Sequence, residues 1–241
     1  MILPAVLIIS LFAAPVRWYS TVEEASAEAL KSNKPILIDF WAGWCEPCRT
    51  MEKDVYSDNA FASAADQYLL VRIDFDKKTA LSRKYNVAAL PTILFTDSYG
   101  NELFRNRGFI DAKRLAEVMQ ALPKDVTEYN NLNQILAQDK NNFDALQTMG
   151  KNLRAASLFL PSNDYYERAL QRAEAKTNLA EREASMSDMA LNSLEVQDGK
   201  RAAQMLERCL KEFPASPRKA EWTQNLSRAY ALTRTRDKVR K

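Results

Sequence analysis

The chain has 241 residues, with 34 Lys and Arg against 31 Asp and Glu, a net charge of +3 and no histidine. So mild a charge gives no footing for nucleic-acid binding, and the missing histidine removes histidine-based triads, most zinc sites and the usual proton shuttle near neutral pH. Five glycines form no phosphate-cradling GxGxxG or GxxxxGK pattern, and three cysteines are too few for a multiply bridged secreted scaffold.

The first stretch, MILPAVLIISLFAAPVRWYS, is apolar over residues 2–14 apart from Ser10. As a helix it would span about 20 Å, short of the roughly 30 Å hydrocarbon core of a bilayer. It fits the apolar region of a secretory signal or an uncleaved anchor, although no Lys or Arg precedes it and no clean A-x-A site follows. A buried first strand is the other reading. Residues 1–16 are therefore read as signal peptide or membrane anchor, which puts the protein outside the cytoplasm, periplasmic or secreted; a misread leader would leave it cytoplasmic.

Residues 21–30, TVEEASAEAL, predict a helix with a Thr cap and early glutamates. PILIDFW is a continuous apolar run broken only by Asp39, the pattern of a strand buried on both faces. CEPC follows and leads into a helix, RTMEKDVY; SDNAFASAADQY predicts a short capped helix. LLVRIDF, KKTALSRKYNV and LPTILFT then read as strand, helix and strand. DSYGN is a turn in which Gly100 can take positive φ, ELFRNRG a returning strand, and DAKRLAEVMQAL a helix capped by Asp111. Strands alternating with helices give an α/β sandwich about a central sheet, ending near Leu122.

Beyond Pro123 the β-branched runs stop and Ala, Leu, Glu, Arg and Lys dominate. FDALQTMGKNL with SNDYYERAL is echoed by MSDMALNSL with KRAAQMLERCLKEFP at tetratricopeptide-like spacings. The copies start about 40 residues apart instead of 34, so the spacing needs an insertion, placed at residues 177–183. RKAEWTQNLSRAYAL would cover the end of the stack. Generic helical hairpins are the rival reading. Phe143, Phe159, Tyr165, Tyr166, Phe213, Trp222 and Tyr230 sit at helical spacing and are read as core, and Cys209 as a small buried hydrophobe beside Ala202, Met205 and Leu206. The basic end, RAYALTRTRDKVRK, reads as a solvated tail.

The chemistry concentrates at WAGWCEPCRT. A structural zinc site wants four ligands, and this chain offers one cysteine pair and no histidine. A staple across so small a loop stabilises little by chain entropy. Redox exchange is the reading left for a CxxC beside a β–α pattern. Cys45 falls where a buried strand gives way to a helix, so unpaired N–H groups favour its thiolate. Cys48 lies one turn along, less exposed, placed to resolve a mixed disulfide formed at Cys45. Pro47 suits a first helical turn, and Trp44 offers partners an apolar cover. Asp39, if buried, should have a raised pKa and can take the proton that Cys48 must lose; an Asp at a solvent-facing strand edge is the alternative.

IDFWAGWCEPC together with ALPT at residues 89–92 resembles the thioredoxin superfamily over residues 17–122. VYSDNAF and LPTILFTDSYGNEL are similar to its extracytoplasmic modules, akin to the C-terminal domain of the membrane reductase DsbD. The resemblance implies a thioredoxin fold, with Cys45 attacking, Cys48 resolving, Asp39 as the buried acid and Pro91 as a cis-proline beside the disulfide. Leu90 would offer backbone to substrate, alongside Trp44, Glu46 and Pro47. Glu46 stands where reducing thioredoxins usually have glycine; its charge should raise the thiolate pKa somewhat and make the pair less oxidising. The whole is then an α/β thioredoxin fold over 17–122 and an all-α, tetratricopeptide-like domain over 123–241. It would be a thiol–disulfide oxidoreductase for exported proteins, without cofactor or metal, drawing electrons from a thiol donor such as a membrane reductase. Its helical half would guide partner choice by binding a protein or peptide. The rival function is an interaction protein whose helical repeats bind a partner and whose first half is a redox-idle scaffold.

Overall fold

The computed structural model describes residues 16–239, with side chains to residue 233; the apolar leader lies outside them. The chain divides into two compact units, Met1–Gly100 with Arg105–Asp125, and Asn101–Phe104 with Val126–Lys241. The sequence places the change of character at Leu122, three residues before this division. Among the described residues no helix is long and apolar enough to cross a membrane.

The first unit is built on a five-stranded sheet, of whose last strand it contains residues 105–107. The sheet's strands are β1 (Trp18–Tyr19), β2 (Ile36–Trp41), β3 (Leu69–Asp74), β4 (Thr92–Thr96) and β5 (Glu102–Arg107), in the order β1-β3-β2-β4-β5. β1 and β2 both run parallel to β3, while β2 and β4 are antiparallel. The two-residue β1 is too short for any sequence pattern to reveal. It is held beside β3 by Trp18, which stacks on Phe61 and meets Tyr56.

β2 is central because both of its faces are covered. Ile36, Ile38 and Phe40 pack with Val22, Ala25 and Ala29 of α1 (Val22–Ser32) and with Val71, Ile73 and Leu94. Alternation along a strand sends Leu37, Asp39 and Trp41 to the opposite face. Local chemistry fixes the helix starts: the Thr21 hydroxyl accepts from the Glu24 N–H, Asp58 caps α3 (Asn59–Ala65), and Asp111 caps α5 (Ala112–Ala121). α4 (Thr79–Lys84) lies between β3 and β4. The helix expected after CEPC is interrupted. α2 (Glu46–Thr50) passes into a π-helical turn, Met51–Val55, closed by the Tyr56 N–H on the Met51 carbonyl at 2.9 Å.

The second unit contains α6 (Thr127–Gln138), α7 (Phe143–Ala155), α8 (Phe159–Leu170), α9 (Glu174–Thr177), α10 (Leu179–Glu195), α11 (Gly199–Glu212) and α12 (Lys219–Val239). α6 has no counterpart in the sequence reading. Its asparagines break the apolar rhythm, yet Tyr129, Leu132 and Leu136 are buried. Two helix ends of this unit are alike in the backbone. Ser157 and Gln197, forty residues apart, both take left-handed φ, 59° and 57°. Around each, the helix stops in the same way: Ser157 N–H to Arg154 O and Leu158 N–H to Leu153 O, then Gln197 N–H to Leu194 O and Asp198 N–H to Ser193 O. These are paired Schellman closures, made without the glycine that would adopt such a φ at no steric cost.

Most of residues 177–183, where the repeat spacing put an insertion, is regular helix. The short α9 precedes them, and Asn178 caps α10 through the Glu181 N–H, so residues 179–183 are helical. Cys209 is buried among Ala202, Met205 and Leu206 as read, and burial pushes its thiol up to about 12. Phe143, Tyr166 and Trp222 are core; Phe159, Tyr165 and Phe213 are half-buried. Tyr230 is exposed, its hydroxyl donating to Glu207, so helical spacing alone misplaced it.

Candidate functional site

The site grows from the exit of β2. Ala42 accepts the Cys45 N–H at 3.1 Å, turning the chain so that Cys45 becomes the N-cap of α2. Its Sγ accepts the Cys48 N–H at 3.2 Å, so a backbone donor at the helix start points at the sulfur. Pro47 occupies the first turn, where a missing N–H leaves nothing unbonded. Cys45 and Cys48 are joined in a disulfide, Cα to Cα 5.3 Å. In this oxidised form the expected contrast in exposure is absent, the two residues being 3 % and 2 % exposed.

Ala42, Trp41, Phe75 and Leu90 pack around the pair. Leu90 arrives there through a cis Leu90–Pro91 bond. The loop is held from both sides: Gly108 N–H donates to the Pro91 carbonyl at 2.8 Å, and the Thr92 hydroxyl to Ala89 O at 2.7 Å. Trp44 is 66 % exposed, yet its indole N–H donates to Asp76 at 2.9 Å, so this open aromatic has a fixed orientation. Glu46 and Pro47 are exposed beside it.

Asp39 is buried at 2 % exposure, which excludes the solvent-facing reading. Strand register brings Arg72 opposite it, with Arg72 Nε 3.4 Å from Asp39 Oδ2. The π-turn presents Glu52 and Tyr56 to the same place. Burial raises the Asp39 pKa to about 6; Arg72 and the Tyr56 hydroxyl pull against that rise, and the charge of Glu52 adds to it. Tyr56 acts from outside good hydrogen-bond geometry, since its hydroxyl and Asp39 Oδ1 both lack a bonded partner. A carboxyl titrating near 6 is ionised at neutral pH and can still accept a proton.

Every residue of the predicted site lies at this end of the sheet or on the segments leading from it. Arg72, Glu52, Tyr56 and Asp76 are the additions. Arg72 gave a signal, a charge inside the apolar LLVRIDF, but the sequence alone does not reveal the strand register that pairs it. Among the described residues no group of three or more His, Cys, Asp or Glu could hold a metal.

A family model described as thioredoxin-like matches residues 17–98. Those residues are a thioredoxin-like domain. The chain is 38 % identical over 101 residues to the thiol:disulfide interchange protein DsbD of Yersinia pestis (strain Pestoides F), covering 39 % of this chain and 17 % of that one. It is 39 % identical over 99 residues to DsbD of Photorhabdus laumondii, with the same coverage. Thus the chain spans only 17 % of the length of these relatives. Among solved structures, a DsbH oxidoreductase aligns at 26 % identity and TM-score 0.41, covering 50 % of this chain and 92 % of that one. The reduced C-terminal domain of Neisseria meningitidis DsbD aligns at 26 % and 0.37, covering 41 % and 91 %. The thioredoxin-like residues 17–98 carry the cysteine pair, and a largely helical region follows them.

Proposed function

We propose that the thioredoxin-like domain is a protein thiol–disulfide oxidoreductase. The carrying observation is the Cys45–Cys48 pair at the start of α2, with a buried, titratable Asp39 on the face of β2 that meets the same helical segment. Cys45, as thiolate, attacks a substrate disulfide; one substrate sulfur leaves as thiolate and takes up a proton. Cys48 gives its proton to the Asp39 carboxylate and attacks Cys45 Sγ. The Cys45–Cys48 bond forms, the mixed disulfide breaks, and the second substrate sulfur departs. The pair has lost two electrons to the substrate, which a dithiol donor such as a membrane reductase must return.

Trp44, Glu46 and Pro47 on one side and the Leu90–Pro91 loop on the other form the rim that a substrate strand would meet. Glu46 favours the reducing direction. The apolar stretch at residues 2–14 supports work outside the cytoplasm, on exported proteins. Residues 123–241 form a tetratricopeptide-like array that selects partners by binding a protein or peptide; the paired Schellman closures at a fixed interval support a repeat.

The test is a redox titration of the full chain against glutathione, with alkylation kinetics at Cys45. The expected outcome is a reversible two-electron couple in the physiological range and a thiol that reacts at neutral pH well above the free-cysteine rate. An ordinary, sluggish thiol that never closes a bond with Cys48 would refute the assignment.

A further inference from the structure

The oxidoreductase reading, on which this inference rests, gives Asp39 a proton to accept. An isolated carboxylate in so apolar an interior would stay protonated at neutral pH and accept nothing. Three polar groups face it: Arg72 from β3, and Glu52 and Tyr56 from the π-turn and its end. β4 brings only the apolar Ile93 opposite.

Arg72 does not belong to Asp39 alone. Its two terminal nitrogens hold Glu52 in a fork, Nη1 to Oε1 at 2.7 Å and Nη2 to Oε2 at 3.1 Å. Only Nε is left towards Asp39, at 3.4 Å and without a hydrogen bond. The Trp41 ring lies 4.5 Å from the guanidinium carbon and limits how far the group can swing. Glu52 itself is more than half exposed.

We propose that Arg72 is a positioning residue for the exchange reaction, its guanidinium shared between buried Asp39 and exposed Glu52, so that a surface carboxylate sets how much positive charge the buried one receives. Two bidentate, charge-assisted bonds bind the guanidinium to Glu52 more strongly than one unbonded contact binds it to Asp39. Removing Glu52 therefore releases Arg72 towards Asp39 and also removes a negative neighbour. Removing Arg72 leaves burial opposed only by the Tyr56 hydroxyl. The two substitutions act on the buried acid with opposite sign.

The experiment uses the full chain carrying 5-thio-2-nitrobenzoate as a mixed disulfide on Cys45. Release of the coloured thiolate reports the attack of Cys48, and its rate is followed from about pH 5 to pH 8, where a proton acceptor shows as an acid limb. Arg72→Met is expected to move that limb to higher pH by about one unit, slowing release near neutrality up to about tenfold. Glu52→Gln is expected to move it to lower pH, and Arg72→Lys to restore most of the wild-type profile. An unchanged profile in Arg72→Met, with only its thermal midpoint lowered, overturns the proposal, as do shifts of the same sign in both variants. Should Arg72→Met not fold, Glu52→Gln decides alone, because its side chain is largely in solvent; no downward shift there also overturns the proposal. Wild-type chain that releases nothing at any pH refutes the oxidoreductase reading itself, an outcome distinct from wild-type release that the variants leave unaltered.

Discussion

The two units bury polar groups in different ways. The α/β unit encloses a carboxyl that can ionise and leaves one of its oxygens without a bonded partner. The helical unit encloses mostly neutral amides and hydroxyls and ties many of them together, although Gln147 Nε2 and Asn163 Nδ2 stay without a bonded partner. Asn192 donates to Ser162 at 3.0 Å and to Asn163 at 2.9 Å, Ser185 to Gln147 at 2.6 Å, and the Trp222 indole to Ser187 at 2.9 Å. Neutral pairs of this kind cost little net free energy and fix one helix pair in register on the next. A buried charge costs stability. Under the proposed function, its retention in the unit that carries Cys45 and Cys48 is stability given up for chemistry.

The sharpest way to break that contrast is Cys45→Ser. Reduction of insulin by the full chain should fall to the uncatalysed background, while helical content measured by circular dichroism is unchanged. Activity surviving in this variant would move the chemistry elsewhere.

Asp39→Asn comes next. The folded-state pKa of Asp39 lies above its ordinary 3.8, at about 6. The stability this group contributes is therefore fully present below about pH 4 and is lost as pH rises through 6; above that, the ionised group destabilises the fold by up to about 3 kcal/mol. Asp39→Asn should protect the β2 amides from hydrogen exchange by about 1–3 kcal/mol more at pH 7, the gain vanishing towards pH 4, while exchange with disulfides slows. A gain independent of pH would mean that charge is not the cause.

On the helical side, a Cβ at Gly150 would stand 2.7 Å from the Tyr166 ring. Gly150→Ala should cost about 1–3 kcal/mol in denaturant unfolding of the helical unit and leave insulin reduction untouched. Smallest is Thr21→Ala, which removes one cap from α1 and should cost about 1 kcal/mol, read as a modest drop in the thermal midpoint of the α/β unit.

What was legible follows the range of the interaction. Caps such as Thr21 and Asp111 were readable because donor and acceptor lie three residues apart. β2 and its odd carboxylate were readable because the apolar run is continuous. Arg72, far along the chain from Asp39, becomes its neighbour only through the pairing of β2 with β3. Glu52 and Tyr56 reach the same point only because the helix widens into a π-turn, which no periodicity foretells. α6 escaped for a different reason: Asn130 and Asn133 are buried where a pattern reader expects leucine.

Gly199 opens α11, and a single added methyl there would come within 2.5 Å of the Ala229 carbonyl and 2.9 Å of the Thr233 nitrogen. Backbone cannot step aside as a side chain can, so the terminal helix would have to tilt off as a lever, with Trp222 lifted from its socket. α11 and α12 are thus latched together by an atom that is not there, and any opening between them would first have to undo that latch.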